Sequence, residues 1–153
     1  MRKTYRILAD IVAVAVVIQA MAMVWAIAGL FHWLDSDGGS IDSAVLDSWE
    51  DDPPDFDGSI GFAIHGILGG MGLPLLALIL LIIAFFAKVP GGVKWAAIVL
   101  GLVVLQVFLG YTGFDVPAVG LIHGLNAFAL FSCAILAARR AHPTDQTAMA
   151  ATP

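Results

Sequence analysis

Residues 59–87 read SIGFAIHGILGGMGLPLLALILLIIAFFA, an apolar run without a single Asp, Glu, Lys or Arg. A helix needs roughly 20 apolar residues to cross the hydrocarbon core of a bilayer, so this run is long enough to span it. The whole chain agrees, because it is 60% hydrophobic and only 12% charged, whereas a soluble domain is about 25% charged. These features predict an integral membrane protein, and no basic patch indicates binding to nucleic acid.

Three further apolar runs satisfy the same length criterion. The short connections that follow the second and third runs force neighbouring helices to pack antiparallel. We therefore predict an all-α fold, an integral membrane four-helix antiparallel bundle, over residues 1–140, and a disordered tail over residues 141–153. The predicted transmembrane helices cover residues 7–33, 59–87, 95–114 and 119–138.

The chain begins with the basic sequence MRKTYR, which is also typical of a signal peptide. The apolar core of a signal peptide has about 7–15 residues, and the run that follows here is much longer. We interpret this run as a retained first helix, with cleavage after the AMA sequence at residues 20–22 as the alternative.

The charges of the chain are distributed asymmetrically. All seven Lys and Arg residues lie before the first helix, between the second and third, or after the fourth. Cytoplasmic loops are enriched in these residues, so both termini are predicted to be cytoplasmic, an N-in/C-in topology. The outer loop 34–58 carries nine carboxylates and no Lys or Arg.

The acidic outer loop, residues 34–58, is interpreted as a solvated segment that enforces this topology. Binding of a cation or of a basic partner is the alternative. Apolar residues at helical spacing predict a short amphipathic helix within the loop. These residues are Ile41, Val45, Leu46 and Trp49.

The tripeptide Ile-His-Gly occurs twice in the chain. His65 lies six residues after Ser59, which begins the second helix, and His123 lies six residues after Pro117, which marks the turn before the fourth. At 1.5 Å per residue, each ring is roughly 9 Å below the outer boundary. The two histidines are therefore predicted at equal depth, and ionisable residues within the membrane are candidates for function.

Small residues share the helix faces on which the two histidines lie, and two explanations are open. Small residues allow transmembrane helices to approach, so the histidines could be inter-helix hydrogen bonds. Alternatively, the small residues leave room for a flat cofactor, haem b, with His65 and His123 as axial ligands of the haem iron. The candidate cofactor-binding residues are His65, Gly69, Gly72, Gln106, Gly110, His123 and Gly124.

Residues 105–131 read LQVFLGYTGFDVPAVGLIHGLNAFALF. This segment resembles one half of a haem A synthase, in which one helix ends in a Gln-x-x-x-Gly-x-x-Thr-type pattern and the next opens with a histidine before an Ala-rich run. The chain also resembles a family of small uncharacterised bacterial four-pass membrane proteins. The resemblance implies histidines on the second and fourth helices and a place in the bacterial cytoplasmic (inner) membrane. Comparable places are filled by Gln106, Gly110, Thr112 or Gly113, His123 and Ala127.

Two departures limit what the resemblance implies. In haem A synthases an arginine typically follows the second-helix histidine, and Gly66 stands there in this chain. That family also has a glutamate near this histidine, whereas no acidic residue occurs between Ser59 and Phe114. The resemblance therefore implies haem binding without the oxygenase activity, and we assign no catalytic residues.

Three functions are consistent with the sequence. The first is a haem b carrier or membrane redox module. The second is a non-catalytic structural or accessory subunit that packs against another membrane protein or a second copy, in addition to the lipid bilayer. The third is a metal-cation site at the outer end, formed by His32, the acidic outer loop or both. Motifs of soluble enzymes are absent from the sequence.

Overall fold

The computed structural model describes residues 1–49 and 51–141, and these residues contain helices and no strand. Four helices are long and apolar enough to cross a membrane, so the protein is an all-α, multi-pass membrane protein with lipid-facing helices. The predicted tail and Glu50 lie outside the described residues, except for Ala141. The helices are α1 (Arg2–Ser36), α2 (Ser43–Ser48), α3 (Ile60–Ala87), α4 (Gly92–Asp115) and α5 (Val119–Arg140).

Helix α3 contains an irregular turn just before Pro74. Residues Leu68–Gly72 form a π-helical turn, and the N–H of Leu73 donates to the Leu68 carbonyl. Pro74 follows directly, and proline lacks an N–H and crowds the carbonyl four residues before it. The α-helical ladder is therefore interrupted on the N-terminal side of Pro74, which places the irregular turn just after His65.

The residues divide into two compact units, and the first comprises Val14–Leu73. In this unit α1 and the start of α3 run antiparallel in close contact. A Cβ built on Gly61 would collide with the Ala22 carbonyl and would lie 3.0 Å from the Ala26 Cβ. This approach brings the two backbones together through small residues, as is common between transmembrane helices.

The acidic outer loop belongs to the first unit and is fixed to the helices by aromatic side chains. Phe56 is only 8% exposed, and its ring stacks on Trp33 at 5.7 Å between centroids. Phe62 packs edge-on against both Phe56 and Trp49. The loop carries most of the chain's carboxylates. These ring contacts hold this acidic segment against the two apolar helices.

The predicted helix within the loop is present as α2. Asp42 caps it, because its carboxylate accepts a hydrogen bond from the Val45 N–H at 3.0 Å. Leu46 is exposed on its surface. Its position against a membrane surface stays a prediction.

The second unit comprises Met1–Ala13 and the residues from Pro74 onward. Its core consists of small and branched side chains, which allow close helix packing. At its edge the buried Tyr5 hydroxyl donates a hydrogen bond to the Gly92 carbonyl at 3.0 Å. The largest fully buried side chains are Tyr5, Val12, Leu80, Val99, Val103 and Leu130.

Local conformations explain how α4 begins and how α5 ends. Gly91 precedes α4 with φ +69°, a left-handed conformation that glycine adopts without strain. The guanidinium of Arg140 lies 5.6 Å from the centroid of the Trp95 ring, a cation–π distance. A cation in the last turn of a helix also interacts favourably with the helix dipole.

Replacing Tyr5 by Phe tests whether the buried hydroxyl stabilises the second unit. We expect Tyr5→Phe to lower the free energy of unfolding by about 1 kcal/mol, because the hydrogen bond to the Gly92 carbonyl is lost. Tyr111→Phe is the matched control, since Tyr111 is 70% exposed and its replacement should change stability by less than about 0.5 kcal/mol. Thermal unfolding in mild detergent measures both, and equal effects would contradict the expectation.

Candidate functional site

The first unit places His65 of α3 against Gln19 of α1. The His65 Nδ1 lies 3.2 Å from the backbone carbonyl oxygen of Gln19. The Gln19 side chain is itself only 7% exposed, so its amide needs partners within the protein. Gln19 thus meets the irregular part of α3 at Gly69.

The amide of Gln19 is best satisfied in one orientation. With its nitrogen towards α3, Nε2 lies 3.1 Å from the His65 carbonyl oxygen and 2.9 Å from His65 Nδ1. In the same orientation Oε1 accepts a hydrogen bond from the Gly69 N–H at 3.1 Å. In the opposite orientation Nε2 donates to the Ile64 carbonyl at 3.4 Å, but the amide oxygen then faces the His65 carbonyl, so we assign the first.

The second unit places His123 of α5 against Gln106 of α4 in a similar way. The His123 Nδ1 lies 3.1 Å from the backbone carbonyl oxygen of Gln106. In return, Gln106 Nε2 donates to the His123 carbonyl at 3.1 Å. Asn126, which is 6% exposed, donates to Gln106 Oε1 and to the Leu102 carbonyl, at 2.6 Å and 3.0 Å.

Each histidine thus belongs to a reciprocal pair with a glutamine on the preceding long helix. The ring approaches the glutamine backbone, and the glutamine amide approaches the histidine backbone. We call these the Gln19–His65 clasp and the Gln106–His123 clasp. They differ in the donor that satisfies the amide oxygen, which is the Gly69 N–H in one and the Asn126 side chain in the other.

At most of the predicted cofactor-binding glycines, a protein side chain occupies the space where a Cβ would lie. A Cβ on Gly69 would lie 3.0 Å from the Gln19 amide, and one on Gly110 would lie 3.3 Å from His123 Cε1. At Gly72 the space is occupied by Leu68 of the same helix. Only at Gly124 does a Cβ meet nothing within 4 Å. Within the units, therefore, Gly69 and Gly110 make room for the clasps themselves.

The contact between His123 and the Gln106 carbonyl restricts how the ring is protonated. A carbonyl oxygen can only accept, so this contact is a hydrogen bond when His123 Nδ1 carries a proton. Histidines that bind metals almost always donate their other N–H to a carbonyl, carboxylate or water. The Gln106–His123 clasp therefore has the donor arrangement of a ligand histidine and, equally, that of an inter-helix hydrogen bond.

The hypothesis of a metal site at His32 and the acidic outer loop can be compared with the described residues. In residues 1–49 and 51–141 there is no group of three or more His, Cys, Asp or Glu side chains that could hold a metal ion. The hypothesis of a cation site formed by His32 and the acidic outer loop thus gains no support from the described residues. Near the C-terminal end of α1, Trp33 packs on the ring of Phe56.

The sequence leaves a backbone carbonyl, Gln106, Asn126 and Thr112 open as hydrogen-bond partners of the histidines, and it does not indicate the pairing of Gln19 with His65. The structure pairs His123 with Gln106, whereas Asn126 bonds to Gln106. The signal for the Gln106–His123 clasp is the short connection after Asp115, which fixes which residues of α4 and α5 face each other. No comparable signal exists for Gln19, because the long acidic outer loop leaves the register of α1 against α3 open.

One segment of the chain matches a protein family. Residues 55–113 match the model of a family of unknown function, DUF6220. The matched segment includes His65, Gln106 and Gly110, and it ends before His123. No curated protein and no solved structure matches the chain. The similarity to an uncharacterised family is thus supported, and the resemblance to haem A synthases remains an interpretation of the sequence.

Gly110→Ala tests the fit of the His123 ring against α4. We expect this variant to be destabilised by about 1 kcal/mol or more relative to Gly101→Ala, because the added methyl presses on the ring. Gly101 is the matched control on the same helix, since a Cβ there meets nothing within 4 Å. Thermal unfolding of both variants in detergent checks this, and a Gly110→Ala protein as stable as Gly101→Ala would refute the contact.

A double-mutant cycle tests the Gln106–Asn126 hydrogen bond. We expect Gln106→Leu and Asn126→Leu to be coupled by roughly 0.6–1.7 kcal/mol, the range measured for polar contacts between transmembrane helices. Thr112→Val combined with Gln106→Leu is the control, because Thr112 donates only to Phe108 of its own helix at 2.8 Å. Additive effects in the first cycle would mean that the contact contributes nothing.

Proposed function

We propose that the protein is a small haem b-binding module of the bacterial cytoplasmic membrane, with His65 and His123 as axial ligands of the iron. The observation that supports this is the hydrogen bond between His123 Nδ1 and the Gln106 carbonyl at 3.1 Å. Histidines that bind metals commonly donate one ring N–H to a backbone carbonyl in this way, which fixes the orientation of the ring. His65 has a backbone carbonyl at a similar distance, 3.2 Å from Nδ1.

The chain has candidate ligands for the haem iron but few candidate partners for the propionates of haem b. Haem b carries two anionic propionates, which in proteins usually meet Arg or Lys. Residues 7–87 and 95–138 contain neither. The hydroxyl of Thr112 already donates within its own helix, which leaves the exposed Tyr111 as a neutral donor at the same helix end.

The missing cations favour a carrier over a redox module within this proposal. Neutral donors stabilise a carboxylate less than a charged one does, so haem would be held weakly. Weak, reversible binding suits a protein that passes haem on. A permanent redox centre needs a cofactor that stays in place.

A second candidate function is a structural or accessory subunit of a larger membrane complex. The observation that favours it is that the clasps consume the polar groups of Gln19, Gln106 and Asn126 without any cofactor. On this view the histidines serve as inter-helix hydrogen bonds, which stabilise transmembrane helix pairs. The lipid-facing surfaces of the helices would then contain the contact with a partner.

A haem spectrum tests the first proposal. We expect protein purified in mild detergent from haem-replete cells to show a Soret band that sharpens on dithionite reduction, together with a pyridine-haemochrome signal. His123→Ala should abolish the band, because one of the two proposed axial ligands is lost. His142→Ala is the matched control; this histidine lies outside the described residues, in the predicted tail, and its loss should leave the spectrum unchanged.

The outcomes separate the two functions. A colourless preparation that also fails to bind added haemin would remove the haem proposal. If such a preparation elutes with a second membrane protein, the accessory function gains support. A Soret band that survives in the His65→Ala, His123→Ala double variant would show that haem is bound elsewhere.

A further inference from the structure

We infer that one end of the second unit, which we call the basic end, binds the headgroups of anionic phospholipids, with Arg140 as its principal phosphate ligand. The basic end comprises Lys88, Lys94, Arg139 and Arg140, together with the three cations among the first six residues. The inference does not depend on haem binding and goes beyond the proposed function.

Two contacts bring separate segments of the chain together at the basic end. The Tyr5 hydroxyl donates to the Gly92 carbonyl at 3.0 Å, so the start of α1 lies against the start of α4. The guanidinium of Arg140 lies over the Trp95 ring, 5.6 Å from its centroid, so the end of α5 lies against the same turn of α4. The cations of the α1 start, the α3–α4 connection and the α5 end are therefore concentrated around the first turn of α4.

Few carboxylates oppose this positive charge. Among the described residues of the second unit only Asp10 and Asp115 are acidic. Asp115 is the last residue of α4, at the opposite end of that helix. The four cations from Lys88 to Arg140 are all exposed, so the basic end presents an excess of positive charge that attracts an anion from outside the protein.

Exposed apolar side chains next to the cations favour a lipid over a soluble anion. Phe85 and Phe86, one turn before Lys88, are 65% and 64% exposed, and Leu136, one turn before Arg139, is also exposed. A phospholipid has a phosphate for the cations and acyl chains for these side chains, whereas a free phosphate or a nucleic acid satisfies only the cations. The basic end thus has the two adjacent surfaces that an amphipathic anion needs.

The contact with Trp95 prepares Arg140 to bind a phosphate. A cation–π contact restricts the side chain but uses none of its N–H donors, so the guanidinium keeps the paired donors with which arginine binds phosphate. Because the side chain is already restricted, less conformational entropy is lost when a phosphate binds. Arg139 is exposed as well, but the ring contact belongs to Arg140.

Native mass spectrometry of the protein in a neutral detergent measures the lipid preference. We expect phosphatidylglycerol to bind roughly fivefold more tightly than phosphatidylcholine with the same acyl chains, the scale of one surface cation acting on an anionic lipid. The preference should decrease when salt is added, because salt screens exposed charges. Equal affinities for the two lipids would overturn the inference.

Matched variants of equal net charge test the role of Arg140. Arg140→Lys keeps the charge but loses the planar, paired donors, and it should weaken phosphatidylglycerol binding roughly two- to fivefold, the scale of an exposed cation–π contact. Arg139→Lys is the control and should leave the affinity unchanged. Trp95→Leu keeps every cation and should reproduce the loss seen in Arg140→Lys. Equal affinities of the two lysine variants, whether weakened or not, would refute the special role of Arg140.

Anions without acyl chains test whether the ligand is a lipid. Inorganic phosphate and a short single-stranded DNA, each at the same phosphate concentration as the lipid, should not displace phosphatidylglycerol, because neither can contact Phe85 and Phe86. Displacement by either would overturn the lipid assignment and would indicate a site for free phosphate or for nucleic acid. The haem spectrum and the lipid preference are separate measurements, so the failure of one proposal leaves the other standing.

Discussion

The polar groups of this protein that lie within its apolar helices must find their partners inside the chain. Hydrocarbon offers no hydrogen bonds, so an imidazole, a primary amide or an irregular backbone turn is tolerated there only when it is satisfied internally. In the part of the chain that the structure describes, no buried side-chain nitrogen or oxygen lacks a partner. The two clasps meet this requirement. Each brings together a histidine and a glutamine, and both side chains approach backbone groups of the neighbouring helix.

The π-helical turn of α3 follows from the same constraint. The oxygen of the Gln106 amide is satisfied by a side chain, Asn126. No asparagine is available to Gln19, and its oxygen takes a backbone N–H, that of Gly69 at the π-turn, instead. An irregular ladder with Pro74 just beyond it can present a backbone donor to a neighbouring helix, which a regular α-helix cannot. The irregularity thus has a bonding role and is more than a consequence of proline.

Hydropathy alone was enough to predict the all-α membrane class, because apolar length is set by the bilayer and not by tertiary contacts. For His123 the sequence narrowed the hydrogen-bond partners to a few candidates, Gln106 among them, since a connection of a few residues limits the register of α4 against α5. The Gln19–His65 clasp was not predictable, because a long loop permits many registers.

The glycines show why a pattern of small residues has more than one meaning. Gly69 and Gly110 were expected to clear space for a cofactor, and each instead admits a side chain of its clasp. Both interpretations require the same residue, because a missing Cβ makes room for whatever approaches. Gly124 differs, since nothing within 4 Å would meet a Cβ there, and it directly follows His123. Because Gly124 is exposed, a position on the lipid-facing surface of α5 explains its open space without a cofactor.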